Sequence, residues 1–370
     1  MTAPAPDLLV DDLSRLVGVE SPSADPDRTR ECGRVVADWV AERLPSAPTP
    51  DVLESGGVTH LRWRFGGPAR VLLLGHLDTV WPAGTLARWP FAVADGRATG
   101  PGCFDMKAGL VQSVHALAAL AGQGADLAGV TVLVTADEEL GSPTSAAIVR
   151  DSARGAAAVL VTEPSAAGAL KIARKGVSVY RYLLSGRAAH AGLEPERGCN
   201  AGTAAAHLVL AAAGLGASEL GTTVTPTLLR AGTTTNTVPA QAELAVDVRA
   251  TSAAEQRRVD DALRALAPAV HGVRWRIEGG INRAPLEGAS SAALFARARL
   301  LAEELGLDAL TGVAVGGGSD GNLTAGIGVP TLDGLGAVGG GAHAEGEWVD
   351  IAATQERTTL LAALVRDLLA

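Results

Sequence analysis

The chain has 370 residues, of which 47% are hydrophobic and 19% charged, with 45 glycines. That length exceeds one small core, and the balance is that of a folded globular chain of two or three domains rather than a disordered one. A formal net charge of -9 argues against nucleic acid and against an anionic membrane surface as partners. An anionic small substrate stays open, because a local cluster of arginines can override the global sign.

The first residues, up to Leu13, carry Asp7, Asp11 and Asp12 with no basic region ahead of an apolar run. No signal peptide is expected there, and no stretch has the ~20 uninterrupted apolar residues of a membrane span. Cys32, Cys103 and Cys199 are scattered, with no Cys-x-x-Cys pair. A reduced, cytoplasmic protein without a disulfide framework or a thiolate metal cluster is expected.

Residues 27–44 read as an amphipathic helix with Cys32, Val35, Val36, Trp39 and Val40 on one face. Residues 71–77 read as a buried strand, 106–120 as a helix, and 130–135 and 157–162 as two further short strands. Strands alternating with helices predict a largely parallel sheet covered on both faces. Ligands of such sheets gather at the carboxyl ends of the strands. His76 and Asp78, then Asp137, Glu138 and Glu139, then Glu163 fall at those ends.

After the small-residue link 165–168 the pattern changes. Strands are expected at 177–184, 223–230, 240–249 and 272–278, with helices at 199–213 and 252–267. The second helix opens on a capping box, Ser252 with Glu255. The order β-α-β-β-α-β is the ferredoxin-like split unit. From about Arg283 the chain returns to mixed character and ends in an amphipathic helix over 350–369. The expected fold is therefore α/β: a mixed, largely parallel sheet sandwiched by helices, with an inserted ferredoxin-like α+β domain. Residues 1–173 and 284–370 would form the catalytic domain and 174–283 the insertion.

The chemistry lies in a few clusters. In Gly75-His76-Leu77-Asp78-Thr79-Val80, alternation along a strand puts His76 and Asp78 on one side. Asp78 can then accept a hydrogen bond from the histidine nitrogen that faces away from a metal; taken alone, the pair also reads as a turn, or Asp78 as a ligand itself. Gly100-Pro101-Gly102-Cys103-Phe104-Asp105-Met106-Lys107 places an acid in a glycine-rich loop before a helix. Asp137-Glu138-Glu139 are three adjacent acids after an apolar strand, which raise each other's pKa unless a cation is present. Glu163 ends another strand, and His343 lies in a loop before the terminal helix. Imidazole and carboxylate donors without sulfur suit zinc, and also cobalt or manganese.

Taken together, these clusters resemble the dizinc metallopeptidase family that includes glutamate carboxypeptidase, acetylornithine deacetylase, succinyl-diaminopimelate desuccinylase and the aminoacylases. The resemblance covers nearly the whole chain, with the motifs in family order. It implies two divalent metal ions per subunit, zinc or else cobalt or manganese. His76 and Glu163 would hold one, Glu139 and His343 the other, with Asp105 bridging. Asp78 would orient His76, and Glu138 would be the general base. Ala108 departs from the glycine often found after the lysine of the bridging-loop motif, but it follows the ligand. In Ser185-Gly186-Arg187-Ala188-Ala189-His190-Ala191-Gly192 the resemblance gives His190 the role of oxyanion donor in a partner subunit's site. Asn236 and Arg249 match positions that contact a substrate carboxylate, and Arg283 is a further candidate. Arg249 alternates with Leu244, Val246 and Val248, so it faces away from the domain core. Gly316-Gly317-Gly318-Ser319-Asp320 resembles the family's glycine-rich turn; no Lys-Ser/Thr follows, so it is not a phosphate loop.

His60, His115, His207 and His271 read as structural or surface residues, and Cys103 as packing. The implied substrate is a small peptide or N-acyl amino acid with at least one carboxylate, and the implied assembly a homodimer made by the inserted lid domain. A glutamate-carboxypeptidase-like enzyme and an N-acyl-amino-acid deacylase both fit. A non-catalytic amino-acid-binding homologue is the contrasting class; it should have lost Glu138 or a ligand, and this chain keeps them.

Overall fold

The computed structural model describes residues 4–370; of the N-terminal stretch read above, residues 1–3 lie outside it. The described residues divide into two compact units, one comprising residues 4–173, 286–315 and 319–370, the other residues 174–285 and 316–318. The first unit is built on a six-stranded sheet. Its order is Asp51–Ser55, Val58–Arg64, Val130–Thr135, Val71–His76, Ala158–Val161 and Thr331–Leu332. The last four strands run parallel, and the first two form an antiparallel hairpin at one edge.

The central strands read as unbroken apolar runs because both faces are covered. Along Val71–His76, Val71 and Leu73 enter one core with Trp39, Trp63 and Leu117, while Leu72 and Leu74 enter another with Val149, Val159 and Leu323. The terminal helix Ile351–Leu369 packs on the helix Ala108–Gly122. The first helices also close around a buried polar group. Asp12 of Pro6–Val17 accepts hydrogen bonds from Arg43 and pairs with His115 at 2.7 Å.

Most expected elements appear within a residue or two. The helix expected from residue 106 begins at Ala108, because Cys103–Lys107 forms a wider turn in which Asp105 has φ -114° and ψ 95°. The hairpin at the sheet edge and the helix Pro6–Val17 were not anticipated. A small four-stranded sheet joins Gly339–Gly340, Trp348–Asp350, Arg97–Thr99 and Ala92–Ala94. Its strands are too short to show any alternation.

The second unit is an antiparallel sheet with Thr223–Ala231, Gln241–Ala250, Gly176–Ser185 and Arg274–Arg283 in that order. Helices Ala201–Ala213 and Ala253–Ala265 cover one face, and Tyr180, Tyr182, Leu244, Val246, Val259 and Leu263 share its core. This is the ferredoxin-like arrangement. Ser252 accepts from the Glu255 backbone N–H as expected of a cap, but the Glu255 carboxylate turns to Thr222 and Arg258. The last strand runs on to Arg283 rather than stopping near 278, because Gly279 and Gly280 keep their pairing with Tyr180 and Val179.

Candidate metal centre

Three parallel strands deliver the candidate ligands to one end of the sheet. His76 closes Val71–His76 in register with Thr135, so the turn Glu138–Leu140 emerges beside it. On the other side Leu74 pairs with Val161, which brings Glu163 level with the same edge. Asp105 comes from the wide turn before Ala108–Gly122. That helix starts against the strand end because residue 109 is glycine: a Cβ there would lie 2.0 Å from the Thr162 carbonyl oxygen. Ala108, the departure from the family pattern, is simply buried at the helix start.

The side chains meet. His76 Nε2 lies 3.4 Å from Asp105 Oδ1 and 3.5 Å from Glu163 Oε1. His343 Nε2 lies 3.1 Å from Glu139 Oε1 and 3.5 Å from Asp105 Oδ2. Asp105 thus stands between the two histidines. Ligand atoms of His76, Glu138 and Glu163, and of His76, Asp105 and Glu139, fall within 4.8 Å of one another in each group.

The orientation of His76 differs in detail from expectation. Its Nδ1 faces the backbone oxygen of Asp78 at 2.9 Å and the carboxylate at 3.4 Å. The Asp78 carboxylate instead accepts from the backbone N–H groups of Glu138 and Glu139. Either way the imidazole is steered from its Nδ1 side, and Nε2 is left for the acids. The three adjacent acids also part company. Asp137 is buried and turns away, accepting from Thr144 and Ser145; the turn gives only Glu138 and Glu139 to the cluster.

Charge in this cluster is unbalanced without a cation. Burial opposes a charge on His76, yet Asp105, Asp78 and Glu163 outweigh it and hold the ring pKa well above its ordinary value. The hydrogen bond to Asp105 raises His343 to about 9, with help from Glu139. Burial pushes Glu139 up to about 7, and the neighbouring Asp105 and Asp78 charges add to it. Asp105 is held well below the carboxylate range, because the two histidines outweigh its burial.

The donor set fits a divalent cation. His76 Nε2 and Asp105 Oδ1 are buried and have no hydrogen-bond partner among the described residues, a costly arrangement unless a ligand satisfies them. All donors are nitrogen or oxygen. Cys103, two residues from Asp105, donates instead toward the carbonyls of Ala98 and Glu347, and burial pushes its thiol far above the range where a thiolate forms. The residues therefore suit zinc, cobalt or manganese. A residue without an assigned role in the sequence lies directly under the centre. The buried Glu347 carboxylate accepts from the backbone of Phe104 and Asp105. Its only signal in the sequence is an acid four positions after His343, just before a short strand.

The remaining candidates belong to the second unit. The segment 187–193 pairs with 236–238: Ala191 N–H donates to the Asn236 carbonyl, and Val238 N–H to that of Ala189. His190 and Asn236 are thereby brought to one place. His190 Nδ1 accepts from Gly192 and Leu193 N–H, so the proton sits on Nε2, an exposed donor. Arg249 faces away from the core as expected, with its guanidinium paired two-fold to Asp247 at 2.9 Å. Arg283 is buried at the end of its strand. The turn Gly316–Gly318 accepts from Arg174 through its carbonyls. Ser319 and Asp320, which belong to the first unit, brace Asp333 and Thr135. Of the other histidines, His60 and His115 are buried in polar contacts, and His207 and His271 are exposed.

Comparison with known proteins gives the family of the chain. Residues 72–367 match the family described as Peptidase family M20/M25/M40. The chain is 31% identical to carboxypeptidase G2 of Pseudomonas sp. (strain RS-16), over 96% of this chain and 88% of that protein. It is 36% identical to the succinyl-diaminopimelate desuccinylase of Halorhodospira halophila, over 41% of this chain and 44% of that one. Its fold is like that of an aminopeptidase, PepT, from Bacillus cereus, with a TM-score of 0.77 at 21% identity, covering 99% of both chains.

Proposed function

The chain belongs to peptidase family M20/M25/M40, and from that premise we propose that it is a two-metal hydrolase cleaving an amide or peptide bond next to a free carboxylate, as a glutamate carboxypeptidase does. Hydrolysis of a C–N bond follows from the family and from the carboxypeptidase relative. The observation that carries the finer reading is the pair His76 Nε2 and Asp105 Oδ1, buried, 3.4 Å apart and both without a hydrogen-bond partner among the described residues, amid three glutamates.

In this reading His76 and Glu163 would hold one cation and Glu139 and His343 the other, with Asp105 shared between them. When bound, the cations supply Lewis acidity, polarising a carbonyl and making water a nucleophile at neutral pH. Glu138 is the general base: its carboxylate takes the proton of the attacking water and passes it to the leaving nitrogen. Asp78 holds the Glu138–Glu139 turn and the Nδ1 side of His76 in place. His190 donates from Nε2 to the developing oxyanion, and Asn236, Arg249 and Arg283 recognise the substrate carboxylate. The Arg249–Asp247 pair means that Arg249 reaches substrate only by sharing or leaving that partner.

We place the enzyme in the cytoplasm as a homodimer. Its cysteines are unpaired, and no helix among the described residues is long and apolar enough to cross a membrane. The inserted unit offers an edge strand, Thr223–Ala231, and exposed Leu210 and Leu229 for pairing about a two-fold axis. The partial match to a desuccinylase favours a second reading, an N-acyl-amino-acid deacylase. A panel of N-acyl-glutamates, N-acetylated amino acids and dipeptides, run on chelator-dialysed and on zinc- or cobalt-restored enzyme, separates the two. Full activity of the stripped protein would refute both.

A further inference from the structure

Glu347 is fully buried, and four donors converge on its carboxylate. Oε1 accepts from the backbone N–H groups of Phe104 and Asp105, each at 2.8 Å. Oε2 accepts from the Gly102 N–H at 3.1 Å and from the indole Nε1–H of Trp81 at 2.9 Å. A carboxylate has about four lone-pair sites, and all four are used. With its lone pairs engaged by three backbone N–H groups and the Trp81 indole, the carboxylate is not offered as a ligand or a base.

Its position in the chain gives the arrangement a consequence. Glu347 closes the loop that carries His343: Ala344 N–H donates to the Gly341 carbonyl, and Glu347 N–H to that of Ala344. Within this loop His343 has φ +62°, a left-handed backbone that a non-glycine residue keeps only when its surroundings impose it. The His343 side chain is half exposed and meets Glu139 and Asp105 through Nε2. The other end of the carboxylate grips the turn that presents Asp105. That turn packs closely on Thr79: a Cβ added at Gly102, which has φ +73°, would run into the Thr79 methyl. One anion therefore joins three segments, around Trp81, Gly102–Asp105 and His343.

We propose that Glu347 is a positioning residue of the metal centre: its carboxylate sets the placement of Asp105 relative to His343, and so the affinity and geometry of the cation they share. The inference rests on the reading of Asp105 and His343 as ligands. Glu347→Gln keeps the size and the Oε1 acceptor but turns a donor amide toward Gly102 N–H and Trp81 Nε1–H. Trp81→Phe removes one of the four donors and leaves both loops intact.

The test is titration of the metal-stripped proteins with Co2+ against a competing chelator, read by affinity and by the visible absorption spectrum, at a temperature where each variant is folded by circular dichroism. Glu347→Gln should bind Co2+ roughly 10–100-fold more weakly, as loss of a ligand-orienting partner does, with an altered spectrum. Trp81→Phe should show a smaller shift in the same direction. Wild-type affinity and spectrum in folded Glu347→Gln overturn the proposal, as does a wild-type result in Trp81→Phe should the glutamine variant not fold. His343→Ala is the control. Weakened Co2+ binding there with none in Glu347→Gln rejects the positioning role alone, whereas unchanged binding in His343→Ala rejects the ligand reading beneath it.

Discussion

The carboxylate of Asp78 lies 3.2 Å from the backbone nitrogen of Glu139, sixty-one positions later in the chain, and accepts its N–H. The same carboxylate reaches Glu138 N–H at 3.3 Å and His76 Nδ1 at 3.4 Å. It is fully buried, and its pKa is lowered because contact with His76, the Ser23 hydroxyl and the Glu139 N–H outweighs the cost of burial. One acid thus ties a candidate ligand on one strand to the candidate ligand and proposed base that follow the next.

Asp78→Asn should disturb both at once. The amide cannot accept from the two N–H groups on both sides, and a buried donor left unmet costs about 1–3 kcal/mol. We expect a loss of stability of that order in urea denaturation, together with cation affinity reduced about 10–100-fold. A variant as stable as the parent, with unchanged cation binding, would contradict the arrangement.

Glu138→Ala removes the proposed proton carrier and no proposed ligand. Bound metal, measured by elemental analysis, should remain, while kcat falls by at least about 10²–10⁴-fold, the usual contribution of a positioned acid–base group. Retained turnover would exclude Glu138 as the base.

Gly109→Ala probes the approach of helix to strand. The added methyl would meet the Thr162 carbonyl at 2.0 Å, so the helix start must move, at a cost of about 1–3 kcal/mol for overpacking. Because Asp105 lies in the turn that leads into that helix, cation affinity should fall together with thermal stability. Loss of stability alone would mean that the turn holding Asp105 moves independently of the helix.

Asp12 sets part of the acid stability. Burial disfavours its charge, but hydrogen bonds from His115 and Arg43 prevail and lower its pKa from 3.8 to about 2. The folded value is below the unfolded one, so the contribution is present above about pH 4 and lost as pH falls toward 2. It amounts to about 2 kcal/mol at neutral pH. Asp12→Asn should be less stable at pH 7 and should lose less stability between pH 4 and 2, as followed by urea denaturation across that range. An identical acid limb in both proteins would count against the pairing.

Much of this protein was determined by local sequence. Apolar runs such as 71–74 and 130–134 specified buried parallel strands, and the alternation of Leu244, Val246 and Val248 put Arg249 on the outer face, because periodicity reports which side of an element is covered. The order of His76, Asp105, Glu138, Glu139, Glu163 and His343 along the chain was enough to suggest candidate ligands and a candidate base. Tertiary structure alone decided how those residues are held. Asp137 is turned into a nest of Thr144 and Ser145, Arg249 is engaged by Asp247, and Glu347 meets a backbone 242 positions away. Such partnerships depend on strand register and on how loops close over one another. A hydrogen bond forms or fails within a few tenths of an ångström, a precision that residue type and spacing do not carry.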